Sequence, residues 1–170
     1  MNLVPIFALY NKAGAANHGS AQPEAMQSYS TPKDIIRRER MNKTFTKYHL
    51  GDGRVLHHFT AAHDELFHDH PWPFRTTILS GGYLEVIATP KDDGTLALTT
   101  HKRLPGTTHH VQAGTIHKLS GLLKGDCWTI IEPGQPERKS GFYKADEAGV
   151  WHRFWNQRKW RLLVGVPSPA

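Results

Sequence analysis

The chain has 170 residues, a formal charge of +6 with histidine neutral, one cysteine, 15 glycines and 11 prolines. That length supports a single domain with its own core, and a lone cysteine excludes an internal disulfide, leaving Cys127 as a buried packing residue. No stretch approaches the ~20 apolar residues of a membrane-spanning helix. The apolar run at residues 4–10 is short and lacks a basic start, so no signal peptide is predicted and the expected location is cytoplasmic. The positive charge invites a nucleic-acid reading, but apart from Arg37-Arg38 and residues 158–161 the basic residues are scattered. A solvated basic surface is the expectation, with no nucleic acid and no membrane as partner.

Residues 1–30 are rich in Ala, Gly, Asn, Ser and Gln and read as an irregular arm. Thr31-Pro32-Lys33-Asp34 reads as a helix start, with Thr as N-cap and Pro at the first helical position. A short basic helix over residues 33–41 follows, anchored by Ile35 and Ile36. Residues 1–42 are thus predicted as an N-terminal extension and residues 43–166 as one β-domain.

From Lys43 the pattern changes. Strands are predicted at 44–50 and 54–59, joined by Gly51-Asp52-Gly53 as a hairpin. Residues 60–67 lead into His68-Asp69-His70-Pro71-Trp72, where Pro71 and Pro73 cannot donate ladder hydrogen bonds and interrupt the strand. Ser80-Gly81-Gly82 splits strands at 75–79 and 83–88. Lys91-Asp92-Asp93-Gly94 turns the chain into a strand at 96–103. His109 and His110 are expected in a loop. Strands at 116–119, 126–132, 140–143, 150–155 and 160–166 complete the chain. Many short strands at close spacing, with no internal repeat, predict an all-β sandwich or barrel.

The two histidine blocks carry the chemistry. Alternate residues on a strand project from one face, about 6.5–7 Å apart, so His68 and His70 can converge on one ion if the segment is extended. On a helix the same pair would diverge. Ala113-Gly114-Thr115-Ile116-His117 supplies a third imidazole. His68, His70 and His117 are therefore the predicted ligands of a divalent metal. Imidazole suits iron, nickel, copper and zinc alike, so ligand type alone does not name the ion.

The spacing of these blocks resembles the paired motifs of the cupins. His68-x-His70 is followed by four residues, Arg75, six residues and Gly82. The second motif runs Gly106, five residues, Gln112-Ala113-Gly114, two residues, His117, three residues and Gly121. Arg75 stands where the pattern has Glu, Gln112 where it has Pro, Gly121 where it has Asn, and Ala62 where it has Gly. The string His-Asp-His-Pro-Trp-x-Phe…Ile-Leu-x-Gly-Gly-Tyr-x-Glu is similar to that of a subgroup of small cupins from bacteria and phages. The resemblance covers roughly residues 43–165. It implies a double-stranded β-helix, the jelly-roll barrel, with both motifs facing one cavity. It also implies a homodimer.

The departure at Arg75 bears on mechanism. A guanidinium cannot ligate a cation, so the expected centre is three neutral histidines, or those histidines plus another acid. The first arrangement resembles three-histidine cupin oxygenases, in which Fe(II) binds substrate and oxygen directly; Zn, Ni or Mn are the other candidates. Arg75 is then a candidate catalytic and substrate-binding residue, anchoring a carboxylate, or else it faces outward in a surface pair. Glu85 can act as a fourth ligand, accept a hydrogen bond from a ligand histidine, or point to solvent. Asp69, between two inward histidines, should point away from the ion. One of His57 and His58 faces inward; His58, with Trp72, is a candidate for substrate contact. Tyr83 retains a hydroxyl for acid or donor chemistry. The functional expectation is a metal-dependent oxygenase acting on a small polar or carboxylated molecule. Its alternatives are a non-catalytic small-ligand binder and a metal-free sugar-type isomerase, which would need a His–Asp pair across the cavity.

Overall fold

The computed structural model describes residues 35–62 and 66–167. Thirteen strands occupy these residues, and none of the described residues is helical: β1 Ile35–Arg40, β2 Phe45–Leu50, β3 Val55–Phe59, β4 Phe67–His68, β5 Phe74–Ser80, β6 Tyr83–Pro90, β7 Leu96–Arg103, β8 Thr108–Val111, β9 Ile116–Leu122, β10 Cys127–Pro133, β11 Gly141–Asp146, β12 Gly149–Phe154 and β13 Arg161–Gly165. They form two antiparallel sheets, ordered β1-β2-β3-β10-β5-β8 and β13-β12-β11-β4-β9-β6-β7. The sheets face one another across a cavity, giving the all-β jelly roll that the sequence predicts.

Two expectations are corrected. Residues 35–40 are a strand, not part of a helix: β1 pairs antiparallel with β2, Arg38 opposite Tyr48 and Glu39 opposite Lys47. A nine-residue helix with two apolar anchors is marginal in water, whereas pairing on the free side of β2 satisfies the same backbone through a sheet edge. The predicted helix start at Thr31–Asp34 lies outside the described residues, as does the irregular arm. The boundary at residue 42 falls inside the β1–β2 hairpin. His109 and His110 lie on β8, which pairs with β5 as Arg75 opposite His110 and Thr76 opposite His109. The short polar run had hidden that strand.

Strand alternation distributes the core over both faces of each sheet. On the first sheet, His57 faces the cavity. Its neighbour Leu56 faces away and joins Leu50 and Ile130, with Tyr48 and Leu79 packed against them. On the second sheet, Val86, Ala88, Ile116, Phe67 and Tyr143 form one cluster. Ile78, Tyr83, Leu119 and Cys127 form another. Cys127 is fully buried, and burial pushes its thiol up to about 11.

The Gly81-Gly82 turn passes the chain from the first sheet to the second. Both residues have positive φ, +77° and +86°. A Cβ on Gly81 would sit 2.2 Å from the Asp126 carbonyl oxygen. Gly53, in the β2–β3 hairpin, has φ +86° and open space around it. Gly53→Ala is therefore expected to cost only the backbone term, about 1 kcal/mol, and Gly81→Ala at least ~1 kcal/mol more from overpacking. Urea midpoints of the two variants check this, and equal losses would contradict it.

Candidate metal centre

The jelly roll brings the two histidine blocks together at one point. His68 on β4 is the direct cross-strand partner of His117 on β9. His70 leaves the end of β4 with its backbone N–H bonded to the Ala113 carbonyl at 3.2 Å. The three ring centroids are 4.9–5.1 Å apart. Nε2 of His70 and Nε2 of His117 face each other at 2.9 Å. One ligand atom from each of the three rings lies within 4.8 Å of the others, so they form a cluster able to hold one metal ion.

Glu85 stands behind this cluster, not in it. Its carboxylate is 1% exposed and accepts the His117 Nδ1–H at 2.5 Å. It also receives Arg103 through Nε at 2.8 Å and a terminal nitrogen at 2.7 Å. Burial alone would raise the Glu85 carboxyl; the hydrogen bonds and charges of His117 and Arg103 outweigh it and hold it at about 2. An ionised Glu85 fixes the proton on His117 Nδ1 and turns the Nε2 lone pair toward the other rings. The geometry thus matches the alternative reading of Glu85, a hydrogen-bond acceptor that orients a histidine of the cluster. Arg103, which completes this unit, was not singled out in the sequence; nothing in the spacing of β7 marks it.

Asp69 turns away from the cluster and pins β4 to β11. It accepts the Gly141 N–H at 2.6 Å and the Tyr143 hydroxyl at 2.9 Å, and pairs with Arg138 at 3.1 Å. These bonds hold the backbone between His68 and His70 in place.

The cavity beside the cluster has a volume of about 130 Å³, small beside the ~300 Å³ and upward of drug-sized pockets. Phe45, Phe59, Phe74, Val111, Leu119 and Ile131 give it apolar walls. Lys47, His57, Thr76, Tyr83 and Thr129 add polar groups.

Several candidates stand elsewhere. Arg75 faces outward, because its neighbours Phe74 and Thr76 line the cavity. It pairs with its cross-strand partner Glu132, Nε to carboxylate at 3.1 Å, which is the surface alternative and keeps it out of the cavity lining. His58 also lies on the outer face, stacked on Trp128 at 4.1 Å and bonded to Asp126 at 2.8 Å. The inward member of that pair is His57. Trp72 is half-buried in the bend between β4 and β5, outside the cavity lining. Tyr83 does reach the cavity. Burial and the Glu85 charge push its hydroxyl upward, so it serves as a hydrogen-bond donor and not as a proton source near neutrality.

Burial and the charge of Lys47 depress His57 well below the usual imidazole range. Burial and Arg103 depress His109 to about 4, with Glu85 opposing. Both rings are neutral in the folded chain and protonate near 6.5 in the unfolded one. Below that pH the unfolded state binds more protons, so stability falls as pH falls; for His109 the loss runs from about 6.5 down to about 4. Denaturant midpoints of metal-free protein should drop between pH 7 and pH 5, and drop less in His109→Gln. A midpoint independent of pH would contradict this.

No family model and no curated protein matches the chain. Solved structures similar to it include oxalate oxidase, at 12% identity over 74% of this chain and 70% of that one, with a TM-score of 0.47. The Drosophila melanogaster CENP-C cupin domain matches at 7% identity over 63% and 84%, TM-score 0.46. Hydroxypropylphosphonic acid epoxidase from S. wedmorenis matches at 11% over 60% and 58%, TM-score 0.45. With two facing antiparallel sheets and both histidine motifs opening into the space between them, the chain has the cupin-type jelly-roll fold.

Proposed function

We propose that this protein is a mononuclear metal enzyme, an iron(II) oxygenase of a small carboxylated molecule, with His68, His70 and His117 as the protein ligands. The observation that carries the reading is the convergence of three imidazoles without a carboxylate among them. Three neutral donors leave a divalent ion its full charge and open positions for other ligands. Bound there, iron(II) supplies redox chemistry with dioxygen. The chain's own residues supply the rest. Glu85 keeps the His117 tautomer fixed, and Asp69 keeps His68 and His70 in register. The apolar walls limit water beside the cluster, and Tyr83 offers a hydroxyl donor. Manganese, nickel and zinc are the other ions this donor set accepts.

The isomerase alternative loses ground. Among the described residues that line the cavity there is no aspartate, and the His58–Asp126 pair sits on the outer face of the first sheet. A non-catalytic binder remains the competing reading, and metal-dependent oxygen consumption separates the two.

Protein loaded anaerobically is expected to bind one Fe(II) per chain by elemental analysis. Alanine at His68, His70 or His117 should each weaken binding more than tenfold. Glu85→Gln, which leaves a ligand histidine without its acceptor charge, should weaken it about 10–100-fold. Wild-type binding that survives all three alanine substitutions would overturn the proposal.

A further inference from the structure

The cavity contains one more group that its chemistry leaves unfinished. Of the described residues lining it, only Lys47 and Glu85 are ionised independently of histidine titration. Glu85 is fully engaged by His117 and Arg103. Lys47 is not engaged. It lies on β2 opposite His57 on β3, with both side chains on the cavity face. Its ammonium stands 5.5 Å from the centroid of the Phe45 ring, and among the described residues it has neither a hydrogen bond nor an ion pair. Its register partner on β1, Glu39, is already taken by His49 at 3.0 Å and Arg37 at 3.3 Å.

An ammonium with three donors that meets an aromatic face and makes no hydrogen bond among the described residues is poorly compensated in a part-buried site. Burial lowers its pKa, with Glu39 opposing, and an anion placed beside it would favour the charged form. A second polar group on the same sheet is also unsatisfied. Thr76 is 1% exposed and lines the cavity. Beyond a weak interaction with the Tyr83 hydroxyl, its Oγ1 has no hydrogen-bond partner. The Phe45 and Phe59 rings, stacked at 4.4 Å, supply an apolar wall to the same cavity, with Phe45 beside Lys47.

We propose that Lys47 is the anion anchor of this cavity: its ammonium receives the carboxylate of a small substrate, Thr76 Oγ1 bonds a further oxygen, and the stacked Phe45–Phe59 wall covers the apolar part. Lys47 thereby takes the place that Arg75, paired outside with Glu132, cannot fill. The inference rests on the reading of this cavity as a substrate site, but not on the identity of the metal. It limits substrates to acids of a few heavy atoms, consistent with the cavity volume of about 130 Å³.

The test titrates acetate, propionate, lactate and pyruvate, each against its neutral amide, into full-length protein with and without Co(II), followed by calorimetry. Wild type should bind at least one acid tenfold or more tightly than its amide, and should do so without metal. Lys47→Met should abolish that preference in the metal-free protein, and Lys47→Arg should retain most of it. Both should hold one Co(II) per chain, as wild type does. An unchanged preference in Lys47→Met overturns the inference, and so does a wild-type protein that binds every acid no better than its amide. If Lys47→Met does not fold, as judged by circular dichroism, Lys47→Gln takes its place, and the wild-type acid-to-amide ratio remains decisive. A Lys47-dependent preference in protein that takes up no cobalt supports the anchor and defeats the metal centre. One cobalt per chain with an acid preference indifferent to Lys47 does the reverse.

Discussion

Three imidazoles meet here because β4 and β9 are hydrogen-bonded neighbours with His68 directly opposite His117. Cross-strand partners on an antiparallel pair keep their side chains on one face, a few ångströms apart. The rest of the centre hangs on that register. A slip of one residue on β9 would turn His117 to the outer face and bring Ile116 or Lys118 inward. Two buried carboxylates guard against this from different directions. Asp69 ties the two-residue strand β4 to β11 through the Gly141 N–H and the Tyr143 hydroxyl. Glu85 ties β6 to β9 through the His117 ring. A strand of only two residues has little ladder of its own, so side-chain bonds do the work that backbone bonds do elsewhere.

The electrostatics follow the same plan. Clustered histidines in a low-dielectric space are tolerable only while neutral. Burial first, then the mutual repulsion of His117 and His68, depresses His70 well below its ordinary range. Glu85, the buried carboxylate that meets His117, is balanced by Arg103. The second sheet thus presents electron-pair donors toward the cavity, with its charges compensated behind them. The first sheet presents Lys47, a cation without a hydrogen bond or ion pair among the described residues, from the opposite side. The cavity thus has the clustered imidazoles on one wall and its lysine on the other. A small molecule with a carboxylate at one end and a metal-binding group at the other matches that arrangement.

How much of this was legible in the sequence depends on what strand parity can decide. His68-Asp69-His70 announced itself because a His-x-His pair shares a face whichever side is buried, and Asp69 followed as the outward residue between them. Arg75 could not be settled the same way. Pro71 and Pro73 interrupt the strand, and its phase is fixed only by pairing with β8 and with β10, where Glu132 waits opposite. His57 and His58 were recognised as an inward and outward pair, but their polarity depends on which sheet covers which. Lys47 left no signal, since a lysine in an alternating strand reads as surface. β1 is ambiguous in the sequence because two isoleucines in a basic run fit a weak helix as well as an edge strand, and only the partner strand decides between them.

In the proposed centre one ion is held by these three rings and by no protein carboxylate. X-ray absorption spectroscopy of the Fe(II)-loaded protein tests it most directly. The expected spectrum shows scattering from three imidazoles at about 2.0–2.2 Å, with oxygen donors from water completing the shell, and the loss of one imidazole in His68→Ala. A spectrum with fewer than three imidazoles, or one unchanged in that variant, would contradict it.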